Sequence, residues 1–279
     1  MAAITAAAVK ALRETTGLPM MDCKRALQEA DGDQEKAVEL LRKAGAKTME
    51  KRSGRQTAAG RISIFADFGK TPSSSIIELK CESAPVASND EFVQLASDLA
   101  QQMATGPGAA TPEELLAQPS PSKQGQTLQQ QLDDLTNRIR EVFRLERVAR
   151  VDGVCGGYAH HNGASAVLLE VEGGNAELAK DICMHVAAMR PKALNRDSLD
   201  AAVVAKEREI LSEQARAEGK PDSIIEKMVE GRMRNYYADH CLVDQAFVKA
   251  EDGKTTVGQT AKDAGMTLKS FVHWELTKE

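Results

Sequence analysis

The residues able to do chemistry in this chain are few and poorly grouped for it. Its five histidines are His160, His161, His185, His240 and His273, and none sits in an H-E-x-x-H zinc pattern. Neighbours on a strand face opposite sides, so the pair His160-His161 is not expected to chelate one metal. Cys183 and His185 lie two apart on an expected helix and share no face, which points to buried packing. The adjacent acids Glu113-Glu114 and Asp133-Asp134 sit in polar helical stretches, where they read as solvated faces and not as an acid–base pair. Gly153, Gly156 and Gly157 do not make a dinucleotide fingerprint, and no G-x-x-x-x-G-K-[ST] phosphate loop is present. Trp274, the single tryptophan, reads as a core anchor. A binding protein with no cofactor and no metal is therefore expected ahead of an enzyme.

The elements around these residues are short. Val9 and Leu12 share one face of a first helix that Gly17 closes. Pro19 suits the start of a second helix, with Cys23, Ala26, Leu27 and Ala30 at helical spacing. Asp33 is placed to cap a third helix, which carries Ala37, Val38, Leu40 and Leu41 and is expected to stop at Gly45. From Arg42 to Arg61 there are seven basic residues and one acid, Glu50, and no apolar period, so 46–60 reads as a basic linker.

Alternation of Ile62, Ile64 and Ala66, then of Ile77, Leu79 and Cys81, predicts a strand pair. Ser88-x-x-Glu91 matches a capping box for a helix bearing Phe92, Leu95, Ala96, Leu99 and Met103. A Pro-, Gly-, Ser- and Gln-rich stretch, 104–127, holds at most a short helix from Pro112. Leu128, Leu132, Leu135, Ile139 and Val142 mark another helix. Phe143, Leu145, Ala149 and Val151 are expected on one face of a strand. Asn162-Gly163 predicts a hairpin turn between strands at 154–160 and 165–171, and Asn175 a cap for the helix that follows. A hairpin followed by a helix thus occurs twice. Residues 200–218 and 222–235 read as an antiparallel helical hairpin, with a last helix near 256–264 and strand near 267–276.

The fold class expected is α+β, divided into a helical module at 1–45, the linker 46–60, a first core subdomain at 61–141 and a second at 142–279 that includes the hairpin 200–235. The 279 residues suffice for that many small cores. Aromatics make up only 4%, so those cores must be aliphatic. A net charge of -5 disfavours direct nucleic-acid binding, and an RNA role for the basic stretch 42–61 ranks behind a protein partner. No apolar run reaches membrane-spanning length, and the start MAAITAAAVKALRE has no signal-peptide pattern. Five scattered cysteines without a C-x-x-C pair fit reduced thiols in the cytoplasm.

Val9-Lys10-Ala11-Leu12-Arg13-Glu14-Thr15-Thr16-Gly17, Met20-Met21-Asp22-Cys23-Lys24-Arg25-Ala26-Leu27 and Ala37-Val38-Glu39-Leu40-Leu41-Arg42-Lys43-Ala44-Gly45 closely resemble the amino-terminal module of translation elongation factor Ts. The resemblance resumes at Glu78-Leu79-Lys80-Cys81-Glu82, Met184-His185-Val186-Ala187-Ala188, Gly219-Lys220-Pro221, Glu226-Lys227-Met228-Val229-Glu230-Gly231-Arg232-Met233, Asp244-Gln245-Ala246-Phe247-Val248 and Thr256-Val257-Gly258, in order along nearly the whole chain. It implies a guanine nucleotide exchange factor without covalent catalysis, whose partner is elongation factor Tu in its GDP-bound and nucleotide-free forms. It further implies an amino-terminal module similar to ubiquitin-associated domains, two similar α+β core subdomains and a projecting coiled-coil hairpin. Carried over by position, partner contacts fall to Leu12, Arg13, Met20, Met21 and His160. Dislocation of the partner's magnesium falls to Ser83, Ala84, Pro85 and Val86.

Here the sequence departs from the family. The usual Thr-Asp-Phe-Val block is Ser83-Ala84-Pro85-Val86, without its acid or its ring. Ala164 and Ala246 stand where Arg and Pro are usual. The first departure leaves open, beside the exchange factor, a form that binds the partner without speeding nucleotide release.

Overall fold

The computed structural model describes residues 4–50, 52, 54–219 and 221–276. Three helices open the chain, α1 (Ala6–Thr16), α2 (Met20–Glu29) and α3 (Gln34–Glu50). Thr5 caps α1, Gly17 closes it in the left-handed conformation at φ 67°, and the Asp33 carboxylate accepts the Lys36 N–H at the start of α3. Val9, Leu12, Cys23, Ala26, Leu27, Ala30, Ala37 and Leu41 form their common core.

α3 does not stop at Gly45. A Cβ there would fall 2.0 Å from the Asn137 Oδ1, so the glycine serves close approach to a later helix rather than termination. The expected linker is correspondingly shorter, because α3 runs to Glu50 and the first strand begins at Ala59.

The core is built on strands β1 (Ala59–Phe65) and β2 (Ser73–Cys81), then helices α4 (Ala84–Ala87), α5 (Asp90–Thr105), α6 (Pro112–Leu116) and α7 (Leu128–Ile139), then β3 (Arg144–Asp152). Strands β4 (Cys155–Ala159) and β5 (Ser165–Gly173), helices α8 (Ala176–Met189), α9 (Ala201–Ala217), α10 (Asp222–His240) and α11 (Val257–Asp263), and β6 (Met266–Glu275) complete it. The strands form two antiparallel sheets, β1-β2-β3 and β4-β5-β6. The break expected between 141 and 142 therefore falls inside the first unit, since β3 pairs with β2. The cap of α5 is Asn89, which accepts from the N–H groups of Glu91 and Phe92, and not Ser88 of the anticipated capping box.

The sheets lie back to back with helices outside. Ile77, Leu79 and Cys81 of β2 face α5 and α7, together with Phe92, Leu95, Leu99, Leu128 and Leu135. Ser73 and Ser75 on that face donate to the carbonyls of Ala104 and Ala100, so α5 packs hard against the strand. Ile62 and Ile76 face the other way and meet Ala166 and Leu168 of β5 between the sheets. Val167, Leu169 and Val171 face α8 and α11. Each central strand is thus covered on both faces.

Both sheets carry one irregularity at the same step, between Glu78 and Leu79 of β2 and between Glu170 and Val171 of β5. Glu146 and Lys269 are the extra residues on the third strands, and they bulge these strands. The bulge corrects the reading of β3. Phe143 and Leu145 face the helices, whereas Ala149 and Val151, beyond Glu146, turn to the cluster between the sheets.

The pair Glu78–Arg147 closes one part of that interior. Glu78 is fully buried and its carboxylate accepts from Arg147 Nε at 2.6 Å. The same guanidinium lies 4.2 Å from the centre of the Trp274 ring and donates to the Glu275 carbonyl. α9 and α10 pack on each other through Val204, Leu211, Ala215, Ile225, Val229 and Met233. Val203, Ile210 and Ile224, their sequence neighbours, stay exposed, because adjacent helical positions point apart.

Candidate functional site: a helical turn held between two carboxylates

Residues 83–86 are not a slack loop. β2 ends at Cys81, and the Glu82 side chain turns inward, accepting the Val142 N–H at 2.9 Å and Arg55 at 3.0 Å. Partial burial opposes ionisation of Glu82, but those two donors outweigh it and hold the carboxyl below its ordinary value. Ser83 stands at the N-cap of α4 with extended backbone, and gives its N–H and its hydroxyl to the Glu141 carboxylate at 3.0 and 2.5 Å. Pro85 fits the first turn of α4, where an N–H has no intrahelical acceptor. The turn closes with Ala87 buried and Val86 packed on the core, leaving Ala84 and Pro85 exposed at the apex. The apex itself is uncharged.

Arg61 of β1 connects this turn to the His160 hairpin. Its guanidinium donates to the Ala87 carbonyl at 3.2 Å and reaches the His161 carbonyl at 3.5 Å. Gly163 lies on the Arg61 side chain: a Cβ there, at φ 72°, would fall 2.7 Å from the Arg61 Cγ. The Ile62 N–H donates to the Gly163 carbonyl at 2.8 Å. Within the hairpin, His160 Nδ1 pairs with Asn162 Oδ1 at 2.8 Å. The rings of His160 and His161 lie 4.3 Å apart and do not point to opposite sides, because β4 ends at Ala159 and strand alternation stops there. A cleft of about 770 Å³ opens beside them, lined by Tyr158, His160, Ala187, Ala188 and Arg190 among others.

On the other flank the helical module reaches the same region. Met20 and Met21 open α2 and are 51% and 63% exposed. Asp22 follows and pairs with Arg140, the residue before Glu141. Arg13 is exposed on α1. Leu12 is 1% exposed and fills the module core, so it offers no contact surface and drops out of the expected set.

Polar contacts and chain adjacency together link most of the remaining expected residues: Asp22, next to Met20-Met21, pairs with Arg140, the adjacent Glu141 holds Ser83, and Arg61 ties α4 to the His160 turn, while Arg13 stands outside this run. Arg61, Arg140 and Glu141 were not anticipated. Their partners lie 26 to 118 residues away in sequence, and no local pattern announces such pairs.

Among the described residues, no three His, Cys, Asp or Glu side chains come together to hold a metal ion. His185 is buried, with its ring against Gln245 and Phe247. All five cysteines are free and buried. No helix among the described residues is long and apolar enough to cross a membrane.

A family profile described as Elongation factor TS matches residues 85–278. The Elongation factor Ts of Methylococcus capsulatus is 44% identical over 277 residues, covering 98% of this chain and 92% of that protein. Those of Saccharopolyspora erythraea and Thermobifida fusca are 43% and 41% identical, each covering 99% of both chains. The chain belongs to the elongation factor Ts family. It is thus a translation elongation factor by family, and the absence of the acid and the ring at 84 and 85 is a variation within that family. Nothing in the fold or in these relatives favours a form that only binds.

Proposed function

We infer that this chain binds elongation factor Tu, in its GDP-bound and nucleotide-free states, and drives out GDP by disturbing the magnesium and phosphate site, so that GTP can rebind. The observation that carries this reading is the α4 turn, held at Ser83 by Glu141, preceded by Glu82 anchored on Val142 and Arg55, and presenting Ala84 and Pro85 outward. In this reading Met20-Met21, beside Asp22 and its Arg140 partner, and the His160 hairpin, tied to α4 by Arg61, serve as flanking contacts.

No bond is made or broken in such exchange. The factor binds the nucleotide-free partner more tightly than the nucleotide-bound one, and by linkage factor and nucleotide weaken each other by the same ratio. A coupling of about 3 kcal/mol corresponds to roughly 150-fold. A rigid turn suits the task, because binding energy spent on ordering a loop would not be available for that coupling. With neither carboxylate nor aromatic ring at its apex, the turn acts by steric intrusion alone, and the flanking contacts carry a larger share. The first three helices act as a module similar to ubiquitin-associated domains, and α9 with α10 as a coiled-coil arm. Work of this kind places the protein in the cytoplasm.

Release of a fluorescent GDP analogue from the cognate elongation factor Tu at fixed magnesium tests the reading. Acceleration by this protein is the expected result. Association without acceleration would overturn the exchange activity, and no association would overturn the partner.

A further inference from the structure

The three-helix module and the first sheet unit have separate apolar cores. Among the described residues, the cluster of the module draws on 4–41 and that of the sheet unit on 59–148, and no buried cluster is common to both. The described contacts between them are the close packing of α3 against α7 at Gly45 and a set of polar contacts. Of the ion pairs, Arg42–Asp134 is long at 3.8 Å.

Arg140 is the unusual member. It closes α7 in the left-handed conformation at φ 65°, a place that favours glycine and costs backbone energy for any residue with a Cβ. Its guanidinium pairs with Asp22, which directly follows the exposed Met20-Met21. Its carbonyl accepts from Arg52. The next residue, Glu141, holds Ser83. Two consecutive residues thus grip the two segments of the proposed contact surface, one the start of α2 and the other the start of α4.

The geometry points to Arg140 as a positioning residue, which sets the helical module, and with it Met20-Met21, at a fixed distance and angle from the 83–86 turn. Its functional meaning rests on the reading above. Arg140 and Asp22 are half and about one-quarter exposed, at 49% and 26%. Such a pair adds little to global stability. Its effect is on placement, so placement and stability separate in the test.

Arg140→Gly relieves the backbone conformation while removing the cation, and Arg140→Asn removes the cation with a residue that tolerates the same conformation. Nitroxides at Lys10→Cys on α1 and Lys180→Cys on α8 read the placement by pulsed electron resonance. Both sites are exposed, and the five native thiols are buried. In the otherwise unchanged chain a single narrow distance distribution is expected. In both Arg140 variants, and in Asp22→Asn, it broadens, the double variant Asp22→Asn/Arg140→Asn being no broader than either alone. The melting temperature of Arg140→Gly is expected at or above that of the unchanged chain.

In the GDP-release assay the same variants need a several-fold higher concentration for half-maximal acceleration, with the maximal rate kept. An unchanged distance distribution in either Arg140 variant, or broadening that adds in the double variant, overturns the proposal. Failure of the unchanged chain to accelerate release would overturn the exchange reading instead, and the distance measurement would still decide the role of Arg140.

Discussion

Ser83 and Glu141, 58 residues apart, make a two-point contact: the serine gives both its N–H and its hydroxyl to one carboxylate. This contact fixes the direction in which the chain leaves β2 and enters α4. Glu141→Ala removes both acceptors at once. A loss of about 1–3 kcal/mol in urea denaturation is expected, together with slower GDP release at a given concentration. Unchanged release alongside lowered stability would show that the turn does not need to be held.

The apex of the turn is open to change. Ala84 and Pro85 are both exposed, so Ala84→Asp with Pro85→Phe should fold with stability within about 0.5 kcal/mol of the parent, as surface substitutions do. A restored acid and ring that contribute about 1.4 kcal/mol in the transition state for release would speed it about tenfold. Stopped-flow release measured on both proteins checks this, and equal rates would mean that the apex is not limiting.

Leu12 and Met21 should respond in opposite ways. Leu12→Ala opens a cavity in the small core of the module and is expected to cost about 2–5 kcal/mol, visible as early melting of α1–α3 by hydrogen exchange. Met21→Ala trims an exposed side chain. It should leave melting within the range of about 0.5 kcal/mol while weakening association with elongation factor Tu. Equal association for Met21→Ala would remove that residue from the contact surface.

Arg147 links the two sheets through Glu78 and Trp274. Arg147→Ala takes away a charge partner of a fully buried carboxylate, and a loss of about 3–5 kcal/mol is expected. Arg147→Lys should recover only part, because an ammonium neither stacks on the indole in the same way nor donates from a planar fork. Thermal denaturation of the two variants orders them.

Two histidines make stability fall in mild acid. Burial holds the pKa of His185 and of His273 below the ordinary value of 6.5. His185 Nδ1 accepts the Val248 N–H at 3.3 Å, so its Nε2 is the protonated nitrogen and donates to Gln245. Below pH 6.5 the unfolded chain takes up protons that the folded chain refuses. The contribution of these two groups is therefore complete above about pH 6.5 and declines as pH drops from there toward the lower folded-state values. His185→Gln should flatten that slope in urea titrations between about pH 7 and 5, and an unaltered slope would assign it elsewhere.

The elements and their kind were readable in the amino-acid order, because the apolar period is a local property. Alternation marked β1, β2 and β5, and helical spacing marked α5, α7 and α8. The Gly17 stop, the Asn162-Gly163 turn and the Asn175 cap also fell where expected. Motif order along the chain was sufficient to point to the family. Tertiary structure decided the rest. A period shows that a strand has an apolar face, not what that face meets. Hence Ile62 and Ile77 turn in opposite directions, toward the second sheet and toward α5. A single extra residue, Glu146, reverses the faces of β3, and nothing in the alternation foretells it. Gly45 looked like a helix end because a glycine needed for close approach to Asn137 has the same letter as one needed for a left-handed cap. Above all, the contacts of Arg61, Arg140 and Glu141 cross 26 to 118 residues of chain. They exist only once two sheets and a helical module have packed, since charge pairing at such separations is set by where the folded backbone places each side chain and leaves no trace in its neighbours.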